Sequence, residues 1–236
     1  MADAAATLVW ERVTANVMRC RLPFCDVTVG VVHDAGEALI VDTGTTLAEA
    51  GAVARDVAVL TGCTVRHVVL THHHFDHVLG CSVFAGSHVY CSPQVVATLA
   101  GDRQALRADA VTHGADTGEV DLALAALSPL ADTEREGIVS LGDTSVTIMH
   151  PGRGHTDHDL IAVVTGGRRP VVFCGDLVEE SGDPCIDEQS DVGAWPATLA
   201  RVLAVGGESA VYVPGHGAEV DAAFVRRQAD WLAARG

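Results

Sequence analysis

Val68-Val69-Leu70-Thr71-His72-His73-His74-Phe75-Asp76-His77 is the stretch on which the reading of this chain turns. Arg66 to Leu70 is a short, largely aliphatic run with the character of a buried strand. It opens at once into four histidines and an aspartate within six positions. Neutral imidazoles and a carboxylate are the donors that a divalent cation of borderline hardness takes, Zn²⁺ above all. On a helix, His72 and Asp76 would share a face and His74 would point elsewhere. In a turn leaving a strand, His72 and His74 can converge on one cation while Asp76 and His77 serve another. The plainer alternative is a chance His-rich surface loop or a tag, but a tag sits at a terminus and does not follow a buried strand.

Three further polar positions stand where apolar strands are predicted to end. They are His155 in His150-Pro151-Gly152-Arg153-Gly154-His155-Thr156, Asp176 in Val171-Val172-Phe173-Cys174-Gly175-Asp176-Leu177, and His216 in Val211-Tyr212-Val213-Pro214-Gly215-His216-Gly217. Each has a glycine beside it, which lets the backbone turn sharply and approach a site closely. A lone histidine at a strand end is more often a structural hydrogen-bonder than a ligand. With the first cluster, however, these positions bring the number of candidate donors to seven.

Outward from these motifs, the first 42 residues read as strands, with Val27–Val32 and Glu37–Asp42 around a turn at Asp34-Ala35-Gly36. Thr45 to Leu60 reads as a helix capped by Thr45 or Thr46, with Leu47, Ala50, Val53, Ala54, Val57 and Leu60 on one face. His88–Cys91 is a strand, and Ser92-Pro93 starts a helix with proline in its first position. Residues 102–136, with eight acids and three arginines, read as an inserted helical or loop segment that could fold over the site. Hairpins follow at Ile138–Leu141 with Thr144–His150, and at Leu160–Thr165 with Pro170–Cys174. Val192–Val205 is a helix, Ala210–Val213 a strand and Glu219–Ala234 a helix. Nearly all-apolar strands in two hairpin-rich halves call for two sheets packed face to face with helices outside, in one domain spanning 1–236.

Composition narrows the function. With 15 arginines against 31 acids the formal charge is −16, which argues against a phosphate-backbone ligand. The chain contains no lysine, so a pyridoxal Schiff base, a Walker-A loop and a Ser-x-x-Lys acyl enzyme are excluded with it. His77 to Gly101 is free of charge but too interrupted by glycine, serine, proline and glutamine to span a membrane. Met1–Ala6 has no positive or apolar region of the kind a signal peptide needs. Seven cysteines without a Cys-x-x-Cys pair read as reduced, mostly buried thiols of a cytoplasmic protein.

The motifs, taken in order, resemble the metallo-β-lactamase superfamily. Its His-x-His-x-Asp-His signature stands here as His72-x-His74-x-Asp76-His77, followed by Gly-His-Thr at His155, Gly-Asp-Leu at Asp176 and Pro-Gly-His-Gly at His216. Val41-Asp42-Thr43-Gly44 matches the family's early acidic turn, whose aspartate supports the metal loop. The resemblance runs from Val27 to Gly217. It implies a four-layer αββα sandwich of the α/β class, with two divalent metal ions, Zn²⁺ first and Fe or Mn as alternatives. His72, His74 and His155 would bind the first ion and Asp76, His77 and His216 the second. Asp176 would bridge them together with a hydroxide, and Asp76 would act catalytically by orienting that hydroxide and relaying its proton.

The implied function is a dinuclear hydrolase of a small ester, thioester or lactone, with a small-molecule substrate and neither nucleic acid nor membrane as partner. A mononuclear iron sulfur dioxygenase, a β-lactam hydrolase and a non-catalytic metal binder of the same fold are the alternatives. The 20 or so residues after His216 carry Arg226, Arg227 and Arg235, short of the basic helical region usual in the glyoxalase II type. His73 is expected to point away from the metals. His33, His67, His88, His113, His150 and His158 are expected to be structural or at the surface. Cys174 is expected to be a buried small hydrophobe, Asp157 and Asp159 to cap the His155 loop, and Glu179 and Glu180 to line the pocket mouth or be solvated.

Overall fold

A computed structural model describes residues 8–101, 103–130 and 133–236; Met1–Ala6 and Asp102 lie outside them. The first sheet holds β1 (Trp10–Arg12), β2 (Val17–Arg21), β3 (Thr28–Asp34), β4 (Glu37–Val41), β5 (Thr64–Val69) and β6 (His88–Tyr90) in that order. Its hairpins are antiparallel as far as β4, and β4, β5 and β6 then run parallel. The second sheet holds β7 (Gly137–Leu141), β8 (Thr144–Met149), β9 (Ile161–Thr165), β10 (Val171–Glu179) and β11 (Val211–His216), in the order β11-β10-β9-β8-β7. Only the β10–β11 pair is parallel.

Strand alternation sorts the apolar side chains into three packed layers. Along β3, Val29 and Val31 face helices while Val32 faces the other sheet. Along β10, Val171 and Phe173 face the first sheet while Val172 and Cys174 face helices. Between the sheets, Leu39, Val41 and Val69 meet Ile148, Val164, Phe173 and Val213. The sheets approach so closely at Gly30 that a Cβ there would lie 2.2 Å from the Phe173 ring. This is the expected αββα sandwich, in a single domain.

Helix α1 (Leu47–Thr61) is closed by a capping box. Thr46 Oγ1 accepts from Glu49 N (3.1 Å), and Glu49 Oε2 accepts from Thr46 N (3.1 Å). Ala50, Val53 and Val57 are buried as the periodicity predicts. Leu60 is not: at 48% exposed, it sits in the last turn, where the helix reaches the short edge strand β1. After β5 come the four-residue helix α2 (Phe75–Val78), a 3₁₀ turn at Cys81–Phe84, and α3 (Pro93–Gly101), with proline in its first position as expected.

The segment expected as an insert holds α4 (Arg103–Thr112) and α5 (Thr117–Ala126). Leu106, Ala110, Val120, Ala123 and Leu124 are buried in the same cluster as Val53 and Val68, so these helices are part of the core. The last helices, α6 (Trp195–Gly206) and α7 (Ala222–Ala233), cover the second sheet. Each starts three residues later than expected, because an aspartate turn precedes it: Asp191 Oδ1 accepts from Ala194 N, and Asp221 Oδ1 from Phe224 N. A second difference bears on the site. β10 and β11 do not end at Cys174 and Val213. Pairing continues to Glu179 and His216 through register shifts around Gly175, whose φ is +51°. No helix among the described residues is long and apolar enough to cross a membrane.

Candidate metal centre

The parallel strands β4 and β5 end at the same edge, and their two following turns are tied together. Asp42, at φ +60°, accepts from Thr71 N through Oδ1 and from Thr71 Oγ1 through Oδ2, both at 2.8 Å. Its Oδ2 also lies 2.8 Å from His77 Nδ1. Thr43 N and Oγ1 donate to His77 O at 2.9 Å, and Gly80 N to Gly44 O at 3.0 Å. The Asp42–Gly44 turn therefore holds both the start of the loop leading to α2 and the C-terminal end of that helix. His74 stays extended ahead of the helix, and Asp76 and His77 are presented from its first turn. The segment is thus part turn and part helix, which is how residues two and four positions apart come to face one region.

Donor atoms of His72, His74, His155 and Asp176 lie within 4.8 Å of one another, as do those of Asp76, His77 and His216. Asp176 stands between the groups. Its Oδ2 is 3.6 Å from His72 Nε2, 3.5 Å from His155 Nε2 and 3.4 Å from His216 Nε2, and its Oδ1 is 3.1 Å from His77 Nε2. Asp76 Oδ2 is 3.4 Å from His216 Nε2 and 3.7 Å from His77 Nε2. Bonds of 2.0–2.1 Å to a tetrahedral Zn²⁺ would set donors roughly 3.4 Å apart. The structure therefore brings together all seven residues singled out in the sequence.

The protonation pattern tests whether a cation fits. Four rings give Nδ1 to a protein oxygen: His72 to Thr71 Oγ1 (3.0 Å), His77 to Asp42, His155 to Cys185 O (3.2 Å) and His216 to Cys25 O (2.8 Å). A ring that donates from Nδ1 presents a bare lone pair at Nε2 when neutral. His74 is turned the other way. Its Nδ1 lies 3.1 Å from His72 Nε2 and 3.0 Å from His155 Nε2, and its Nε2 is 3.6 Å from Asp187 Oδ2. Five imidazoles and two carboxylates thus aim lone pairs at one small volume. His77 Nε2 and Asp176 Oδ1, 3.1 Å apart, are buried there with no other protein partner among the described residues. Such an arrangement is costly unless cations occupy it, so the donor set fits divalent metal ions.

Electrostatics agree. Burial, with the facing His77 ring, holds His72 well below its ordinary pKa, and burial with His155 does the same to His74. Burial also opposes charge on His77 and His216, but nearby carboxylates, Asp176 foremost, outweigh it. His77 is raised well above its usual value and His216 is pushed up to about 10. In spite of its own burial, Asp176 is held well below the carboxylate range by His77, His216 and His72. Without metal, protons on His77 and His216 would offset the Asp176 charge.

Around the cluster, His73 points away from it, with Nδ1 2.9 Å from His158 Nε2, while His158 Nδ1 is 2.8 Å from Asp157 Oδ1. Asp159 is buried and accepts from Thr156 N and Oγ1, both at 2.8 Å, closing the His155 loop; burial pushes its carboxyl up to about 7. Cys174 is fully buried among apolar neighbours. Glu180 accepts from Ala218 N. Glu179, expected at the pocket mouth or in solvent, is buried, and its carboxyl is pushed up to about 7 by burial and by Asp176. Sequence reasoning missed Asp187 and the carbonyls of Cys25 and Cys185. A carbonyl carries no residue-type signal, and Asp187 belongs to no motif. A cavity of about 640 Å³ opens beside His73 and His74. Its wall includes Leu106 and Asp109 from α4, together with Asp157, Asp187 and Glu188.

Comparison with known proteins points the same way. A family model described as the metallo-beta-lactamase superfamily matches residues 22–216. A hydroxyacylglutathione hydrolase of Cupriavidus metallidurans is 30% identical over 201 residues, covering 80% of this chain and 62% of that protein. A protein of Aspergillus versicolor, named as a transcription factor (avaE), is 25% identical over 138 residues, 58% of this chain and 40% of its own length. The chain thus spans less than two thirds of either curated relative. The crystal structure of the DIM-1 metallo-beta-lactamase exposed to ceftazidime superimposes with a TM-score of 0.74 at 19% identity, over 99% of this chain and all of that one.

Proposed function

The chain belongs to the metallo-β-lactamase superfamily of metal-dependent hydrolases, and from that premise we propose that it holds two divalent cations and hydrolyses a small ester, thioester or lactone. His72, His74 and His155 would hold the first cation, Asp76, His77 and His216 the second, and Asp176 both. The observation that carries this reading is the position of Asp176, whose two oxygens lie 3.1–3.6 Å from histidine nitrogens of both groups. Two cations close together repel strongly, and a shared carboxylate offsets that repulsion. The three-imidazole group suits Zn²⁺, with Fe and Mn as substitutes. The thioester option is supported by the hydroxyacylglutathione hydrolase relative.

When bound, the cations would supply Lewis acidity and a hydroxide at neutral pH. The chain's own part is positioning. Asp42 holds the His77 ring and the Thr71 turn, and the Cys25 and Cys185 carbonyls orient His216 and His155. Asp76, whose Oδ2 lies beside His77 and His216, would take up a proton and return it to a leaving group. The cavity beside His74 would receive the substrate, with the α4 residues Leu106 and Asp109 in its wall.

The test pairs elemental analysis of protein purified without chelator with a panel of esters, thioesters, lactones and β-lactams. Near two equivalents of metal with turnover of the first three classes is the expected result. A stable, active, metal-free preparation sinks the reading. A single iron with oxygen-dependent turnover of a persulfide would replace it with a sulfur dioxygenase.

A further inference from the structure

We propose that Glu179 is an additional donor to the second cation, an inference that rests on the two-cation reading above. In a regular strand, residues three apart point to opposite faces, so Asp176 and Glu179 should not share a site. Here the β10–β11 ladder shifts register between Phe173 and Gly175 and again between Gly175 and Glu179. The result is a third compact group: donor atoms of Asp176, Glu179 and His216 lie within 4.8 Å of one another. Glu179 and His216 are also direct neighbours across the two strands.

The irregular backbone is held in place. Gln228 of α7, buried at 6% exposure, donates Nε2 to Leu177 O (2.8 Å) and accepts from Glu179 N at Oε1 (3.0 Å). Trp195 Nε1 donates to the same Leu177 carbonyl at 3.0 Å. The glutamine amide thereby stands in for a strand partner where the ladder slips. The Glu179 side chain, at 7% exposure, is fixed as well: Oε1 accepts from Ser181 N at 3.2 Å and from Ser181 Oγ at 2.7 Å.

No protein donor reaches Oε2 among the described residues, and no arginine there pairs with this carboxylate. A buried carboxylate is expensive unless its charge is offset, and the group beside this one is His216, itself a candidate donor. Beside it, Asp176 Oδ1 is buried and faces only His77 Nε2, at 3.1 Å, among the described residues. A divalent cation bound by Asp176, Glu179 and His216 would neutralise both carboxylates. The first position would then be nitrogen-rich and the second oxygen-rich, which shifts the second toward harder cations such as Mn²⁺.

The experiment titrates the full-length, cation-free protein with Zn²⁺ by calorimetry, in the wild type, Glu179→Gln and Glu179→Asp. Glutamine keeps an acceptor for the two Ser181 bonds, so the turn is retained. The wild type should take up two equivalents. Glu179→Gln should bind the first with unchanged affinity and the second about 10- to 100-fold more weakly, the loss typical of a removed supporting group or more; Glu179→Asp should fall between. In Co²⁺-loaded protein, the visible bands from the first equivalent should match the wild type and those from the second should shift. Wild-type affinity for the second equivalent in both variants overturns the proposal. Loss of both equivalents together in both variants assigns Glu179 to the scaffold and also overturns it. A wild type that takes up no second equivalent rejects the two-cation reading itself, and this inference with it.

Discussion

Asp176 and His73 make a sharp contrast at the scale of single residues. Both are polar, buried and close to the cluster, yet Asp176 faces four histidine nitrogens while His73 faces His158. Asp176→Ala removes the oxygens that stand between the two groups, so at least one equivalent of metal and most activity should be lost. Circular dichroism should stay near wild type, because the core is built from strands and helices. His73→Ala should keep both equivalents. It should cost about 1–3 kcal/mol of stability, since a buried ring loses its partner. Elemental analysis of the two variants decides; an empty site in His73→Ala with full loading in Asp176→Ala would reverse the ligand assignment.

At the scale of elements, the strand ends place the donors, and glycine decides how closely two strands approach. A Cβ on Gly215 in β11 would lie 1.8 Å from Asp176 Oδ1 and 2.9 Å from Asp176 N. Gly215→Ala should therefore displace Asp176, lowering metal content and activity. Gly182→Ala, with nothing within 4 Å of the added carbon, should leave both unchanged. Full metal loading in Gly215→Ala would show that β11 can move aside. The value of a glycine beside each of the three later motifs was legible in the sequence. Which glycine is sterically required was not, because the contact is with a neighbouring strand. Element bounds show the same division. The α1 cap is a local pattern and was readable, whereas the extension of β10 past Gly175 depends on pairing with β11.

At the scale of the whole molecule, the charge of −16 is not spread evenly with respect to the cavity. Asp109, Asp157, Asp187 and Glu188 line it, and no arginine does among the described residues. The field at the entrance should therefore favour cationic or neutral substrates over anionic ones. Three thioesters matched in size and differing only in charge should rank cationic, neutral, anionic in kcat/KM. The spread should narrow as ionic strength rises from 0.01 to about 0.5 M, where the Debye length falls from about 30 Å to a few ångströms. Asp109→Asn should narrow it as well. Equal kcat/KM for all three at low salt would reject the charge filter. Asp109 reaches the cavity because α4 is docked through Leu106 and Ala110 on the same core as α1, so the segment expected as an insert is both wall and core.

The sequence by itself pointed to the seven candidate donors and their order, to Asp42 as a supporting residue, to most of the strand-and-helix order and to the two-sheet sandwich. The strands and the two-sheet sandwich are carried by alternation that must bury both faces of each sheet, and the candidate donors by histidines and aspartates after apolar strands, while the role of Asp42 and the division of the donors came from the resemblance to the metallo-β-lactamase superfamily. Only the tertiary structure decided which ring nitrogen each histidine turns inward, that Glu179 comes beside Asp176 and His216, and that α4 and α5 belong to the core. Those outcomes depend on contacts between distant parts of the chain. The bond that orients His216 comes from the carbonyl of Cys25, 191 residues away, and that of His155 from Cys185. Every residue has a carbonyl, so no side-chain pattern announces which one the fold will bring to the ring.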